Sequence, residues 1–145
     1  MIETRELYWL VLPLCCGYAL WRGRGDERVV AAACLLASAA TYLILSDKLG
    51  GFHVFEGGVL AVDIATFAAF VTIALTSSRF WPLWVAGLQL TTLLAHVFRI
   101  ISSDLIPIAY AAAGRFWSYP ILLILVVATW RHQRRLRREE RAEPA

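Results

Sequence analysis

The sequence predicts an all-α fold: a polytopic transmembrane bundle of five helices, with four as the alternative if the first apolar block does not cross. Three observations predict it. Hydrophobic residues fill 59% of the 145 positions and charged residues 17%, mean hydropathy is +0.62, and the apolar residues come in long blocks instead of amphipathic stripes. The run GGVLAVDIATFAAFVTIALT, Gly57–Thr76, holds one ionisable residue, Asp63. At about 1.5 Å per residue it spans roughly 30 Å, the thickness of a bilayer's hydrocarbon core. Finally, the net charge of +3 conceals an asymmetry, because six arginines follow the last apolar block. One unit is expected, with residues 1–130 as the helix bundle and 131–145 as a basic cytoplasmic tail.

The elements follow in order. MIETRELYW opens the chain with no small-residue cleavage signature ahead of its apolar run, so the first block, 7–21, is read as a retained helix. It is short and Pro13 is expected to kink it, yet Arg5, Glu6 and Arg22 can snorkel at its ends and let it span. RGRGDER at 22–28 reads as a polar cytoplasmic loop. The second block, 29–46, is alanine-rich and stops at Asp47, Lys48, Gly50 and Gly51.

In the third helix, Gly57, Ala61, Ala65 and Ala69 recur every four residues, a ridge that lets another helix approach closely. Glu56, Asp63 and Thr66 lie nearly opposite, which predicts a central helix instead of a lipid-facing one. The fourth block, 80–101, carries Pro82 near its start, where a missing N–H does little harm. Gly87, Thr91 and Ala95 form a second ridge, and Gln89, Thr92, His96 and Arg99 line the nearly opposite face. The fifth block, 105–130, exceeds what a bilayer needs and contains Gly114, Arg115 and Pro120, so a tilted helix or a break near Gly114 is expected. Its tail is expected to continue the helix by roughly two or three turns.

Five crossings with the N-terminus outside place Arg22, Arg24, Arg28, Arg79 and the six tail arginines in the cytoplasm. At most Arg5, Lys48, Arg99 and Arg115 then lie outside, in keeping with the positive-inside rule. Trp21, Trp81, Trp84 and Trp130 fall at the inner interface and Trp9 at the outer one, while Trp117 does not fit the pattern.

Chemistry is expected in one layer of the outer half. Asp63, Gln89, Thr92, His96, Arg99 and Arg115 form a polar intramembrane cluster, with His53 and Glu56 as outer-side candidates. Ionisable groups are costly there unless they pair or face water, so they are the functional candidates. Asp63 is either a proton or cation site or the partner of Arg115, Arg99 or His96 in a pair that holds helices together. His53 with His96 could ligate haem, and His53 and Glu56 with Asp63 or His96 could hold a metal; neither cofactor is expected, since the spacings also arise by chance. Cys15, Cys16 and Cys34 lie in apolar segments without metal-ligand spacing and read as buried thiols.

No Ser/His/Asp arrangement, phosphate-cradling loop or paired catalytic carboxylate occurs, so catalysis is not the expected role. Arg131, Arg134, Arg135, Arg137 and Arg138 suit lipid head groups as well as a topology anchor. Nucleic acid is not expected as a partner, because no recognition signature accompanies the charge.

RFWPLW at 79–84, followed by Gln89, His96 and Arg99, then AYA at 109–111, WSYP at 117–120 and TWRH at 129–132, resembles a group of small uncharacterised bacterial inner-membrane proteins. The resemblance covers the C-terminal half best. It implies a bacterial inner-membrane location and carries no activity or cofactor. Two functional classes follow from the residues. One is a non-enzymatic accessory or scaffold component, as a homo-oligomer or within a larger membrane complex. The other is a small transporter or ion-conducting protein using the cluster around Asp63 and His96.

Overall fold

The computed structural model describes residues 4–46, 52–101 and 107–143, with side chains described from residues 6, 57 and 116 onwards in those stretches. The described chain is helical almost throughout: α1 (Thr4–Arg22), α2 (Gly25–Ser46), α3 (Phe52–Thr76), α4 (Trp81–Ile101) and α5 (Pro107–Ala142). The predicted all-α bundle of five helices is what forms. Gly25–Ser46, Gly57–Thr76 and Trp81–Ile101 are each long and apolar enough to cross a membrane. α1 is not among them, having Glu6 and Arg22 near its ends and Pro13 inside. The described part of α5 joins its apolar run to the tail arginines.

Several boundaries differ from expectation for local reasons. α2 begins at Gly25, inside the segment read as a loop, leaving only Gly23 and Arg24 between α1 and α2. Asp26 and Glu27 in its first turn complement the positive end of the helix dipole. Gly23 makes this tight junction: its N–H bonds to Ala19 O at 2.8 Å, and a Cβ there would lie 2.2 Å from that oxygen and 2.8 Å from Glu27 Cβ. α1 runs through Pro13, which is exposed. Of the two expectations for the fifth block, a tilted helix or a break near Gly114, the break does not occur: α5 is unbroken through Gly114 and Pro120. An interior glycine costs a helix only about 1 kcal/mol, and no described glycine adopts positive φ.

Helices adjacent in sequence pack as neighbours, α5 closes the ring against α1, and α2 also reaches α5. Among the described residues α2 and α5 each touch three helices, whereas α3 packs against α2 and α4. This corrects the central position expected for the third helix. Leu12, Cys16 and Ala19 of α1 meet Val30 and Ala31, Phe70 and Ile73, Val85 and Ala86, and Ile121, Leu122 and Leu125 in one core. Apart from Leu12, near the middle of α1, these lie in the half of the bundle nearest the α1–α2 and α3–α4 turns.

Each helix turns large apolar side chains outward, among them Leu14 (72% exposed), Leu36 (71%), Leu75 (80%), Ile100 (74%) and Leu123 (65%). In water such a continuous apolar exterior would aggregate; against acyl chains it is the required surface.

Both small-residue ridges also lie outside. Gly57, Ala61 and Ala65 are exposed and Ala69 is half-buried; Gly87 is exposed, with Thr91 and Ala95 half-buried. A Cβ at Gly57 or Gly87 would meet nothing within 4 Å. Close approach of α3 to α2 occurs one residue on, at Gly58, where a Cβ would come 3.2 Å from Ile44 Cγ2. The reason is competition between faces. Asp63, Thr66, Phe70 and Ile73 occupy the inward side of α3, and the ridge opposite them falls on the surface.

The unbroken α5 sets a distance. Spin labels at residues 110 and 141 in a cysteine-free background should lie about 46 Å apart, at 1.5 Å per residue. A break near Gly114 would shorten and broaden the distribution measured by pulsed electron paramagnetic resonance.

Candidate functional site

Asp63 lies on the seventh residue of the apolar span Gly57–Thr76, roughly 10 Å along the helix from its start. Across the α3–α4 interface, Gln89 and His96 project from the same face of α4, two turns apart. Gln89 Nε2 donates to Asp63 Oδ1 at 3.1 Å and lies 3.5 Å from the Asp63 carbonyl oxygen. His96 Nε2 lies 2.8 Å from Asp63 Oδ2. Both carboxylate oxygens are thus engaged by one neighbouring helix. Gln89 is 6% exposed, and the Asp63 and His96 side chains are 19% and 12% exposed.

The contact joins residues far apart in sequence, so it sets the register of α3 against α4. An imidazole N–H can donate to the carboxylate in the tautomer that places its proton on Nε2. Chemically, the arrangement is a clasp of an amide and an imidazole on one carboxylate. The neighbouring polar residues are placed differently. Thr66 is buried but donates within its own helix to Val62 O at 2.8 Å. Thr92 and Arg99 are half-buried on the same side of α4, and Arg99 has a partner of its own. The side chains of His53, Glu56 and Arg115 lie outside the described residues. Among the described residues, no three His, Cys, Asp or Glu side chains converge as a metal site.

A second polar cluster lies at the opposite end, and the sequence reading missed it. Glu27 is fully buried. Its Oε2 accepts the Arg24 backbone N–H at 3.0 Å, and its Oε1 accepts Arg79 Nη1 at 3.2 Å. Next to it, Ser77 Oγ donates to Asp26 Oδ2 at 2.7 Å, and the Arg79 N–H reaches Ser77 Oγ at 3.3 Å. The α1–α2 and α3–α4 turns are thereby stapled together. Gln133 of α5 adds a bond from Nε2 to the Arg22 carbonyl. The available signal was the spacing Arg24-x-x-Glu27, in which an N3 glutamate reaches back to the N-cap N–H. Arginine at the N-cap concealed it.

The cysteines are free, with Cys16 buried and Cys15 and Cys34 half-buried; Cys34 packs against the core that contains Cys16. Aromatic residues gather at the two ends. Tyr8 stacks edge-on against Trp9 and Tyr119 and shares a hydrogen bond with Ser38 at 3.0 Å. At the other end, Arg22 lies over Trp21 and Arg134 over Trp130.

Long apolar helices, an apolar exterior and polar groups paired within are the features of a helix-bundle membrane protein. Comparison with protein-family models, with curated proteins and with solved structures gives no match.

Two substitution sets test these clusters. Asp63→Ala strands Gln89 and His96 and should cost about 1–3 kcal/mol, read as a lower melting temperature of the detergent-solubilised protein. At the other end, Glu27→Ala should destabilise more than Asp26→Ala, because it leaves the Arg79 guanidinium and the Arg24 N–H without their acceptor. Equal melting temperatures for the two would show that the buried carboxylate carries no special weight.

Proposed function

We infer that the chain is a non-enzymatic accessory or scaffold component of a bacterial inner-membrane assembly. The carrying observation is the placement of its polar and small residues. Asp63 has both oxygens engaged within the chain, whereas Gly57, Ala61, Ala65 and Gly87 lie open on the exterior. Membrane helices associate through such small residues, since lipid provides no hydrophobic drive between them. The inward clasp holds α3 and α4 in register, and the outward ridges receive a second copy or another membrane subunit. The N-terminus is outside and the arginine-rich C-terminus cytoplasmic, supported by the charge asymmetry.

One observation favours a second reading, a small ion- or proton-conducting protein. Asp63 and His96 are not fully enclosed, and they bring a carboxylate and an imidazole within 2.8 Å of each other between two apolar helices. A route would then involve Asp63, Gln89 and His96.

Asp63→Asn separates the two. As a scaffold, the variant should lose thermal stability and co-purifying partners while proteoliposomes show the same proton flux as empty ones. A well-folded variant whose parent conducts protons and which itself does not would establish the second reading and remove the first. For orientation, a C-terminal green fluorescent protein fusion should fluoresce and a C-terminal alkaline phosphatase fusion should be inactive; the reverse pattern would overturn the topology.

A further inference from the structure

α5 continues past the bundle. Gln133 bonds to the last turn of α1, and from Arg134 to Glu143 every residue is exposed. On this projecting segment the charges are sorted by face. At about 100° per residue, all six arginines fall within roughly 160° of arc, and Glu139, Glu140 and Glu143 fall in the remainder. Trp130, Arg131, Arg134, Arg135 and Arg138 line one open hollow, with the Arg134 guanidinium 4.7 Å from the centre of the Trp130 ring.

The same face has a second property lower down. Ile121, Leu122, Leu125, Ala128 and Thr129 are buried against the bundle, whereas Phe116, Leu123, Val127 and Trp130 are exposed. These four exposed residues lie within about 60° of one another, and Arg134 and Arg138 continue the same line. The apolar strip from Leu123 to Trp130 covers about 10 Å, within the roughly 15 Å of one leaflet's hydrocarbon. Above it, Arg131 to Arg138 cover about another 10 Å, which spans the head-group layer of roughly 5–8 Å and reaches a little beyond it. An indole with a guanidinium stacked on it marks the boundary.

We propose that this face of α5 is a binding site for an anionic phospholipid carrying two phosphate groups. The acyl chains lie along Leu123 and Val127, Trp130 sits at the glycerol level, and Arg131, Arg134, Arg135 and Arg138 hold the phosphates. Two phosphates match the chemistry: four guanidinium forks spread over about 10 Å can engage two phosphate groups bidentately, more than one phosphate needs. Arginine is suited to this, being planar and permanently charged. The apolar strip distinguishes a lipid from free phosphate or nucleic acid, neither of which has chains to place there. Arg137 and Arg135 mark the two edges of the arginine arc, and of these only Arg135 lines the hollow.

The test is native mass spectrometry of the full-length protein in a mild non-ionic detergent, titrated with diphosphatidylglycerol, phosphatidylglycerol and phosphatidylcholine. Diphosphatidylglycerol should bind at least about tenfold more tightly than phosphatidylcholine, with phosphatidylglycerol between them. The quadruple variant R131Q/R134Q/R135Q/R138Q should lose that preference at an unchanged melting temperature, since these residues lie outside the core. R24Q/R28Q, which removes arginines elsewhere, should keep it. Replacing the same four arginines by lysine separates a built site from general attraction, because charge is kept and the forks are lost; affinity should fall several-fold. Equal binding by the lysine variant, displacement of the lipid by inorganic pyrophosphate or by an RNA oligonucleotide, or full binding by the quadruple glutamine variant would each overturn the proposal.

Discussion

A carboxylate placed within an apolar helix has to find its donors in the same chain, and the arrangement of this bundle follows from that constraint. Asp63 lies well inside α3, away from any loop backbone. It is met from α4 by an amide and an imidazole, one on each oxygen. Meeting it requires α3 and α4 to lie side by side with their polar faces inward. The opposite faces, with their small residues, are then left on the exterior. One polar contact therefore decides which side of two helices is available to anything else.

The same requirement is met differently at the other end. There the groups to be satisfied are the first N–H groups of α2 and a buried glutamate, and the donors come from the turns. Glu27, Arg79, Asp26 and Ser77 tie two helix junctions together over the fully buried core, whose small members Cys16, Ala19, Ala31 and Ala86 let the helices approach. A buried ion pair of this kind contributes little net stability against an apolar replacement, but leaving either partner alone is costly, so it acts chiefly to fix geometry. The two ends differ in kind: one is a packed core closed by a staple, the other a polar contact between two helices, partly open.

Much of the fold was legible in local pattern. The apolar blocks, the positions of the turns and the helical tail are properties of short windows, and each helix appears where hydropathy predicts it. Asp63, Gln89 and His96 were also legible, because polar residues in apolar helices stand out and their spacing puts them on facing stripes. Glu27 was not legible. It follows a run of charges at a helix start, where a glutamate is ordinary, and only Arg79, 52 residues away, makes it a buried partner. Whether α5 is continuous was left undecided, since Gly114 and Pro120 weaken a helix locally while the packing of α5 against three neighbours holds it together.

By itself, then, the sequence determined that this is an all-α chain with helices fit to cross a bilayer, roughly where each helix lies, and which side chains are too polar to face lipid. These depend on length, periodicity and composition along one segment. Only the tertiary structure decided that α2 and α5 each meet three helices while α3 meets two, that the glycine and alanine ridges look outward, that Gly58 and not Gly57 makes the close approach, and that the apolar strip of α5 runs into its arginines on an open face. Those outcomes rest on the rotation of each helix about its axis, which is set by all its neighbours at once.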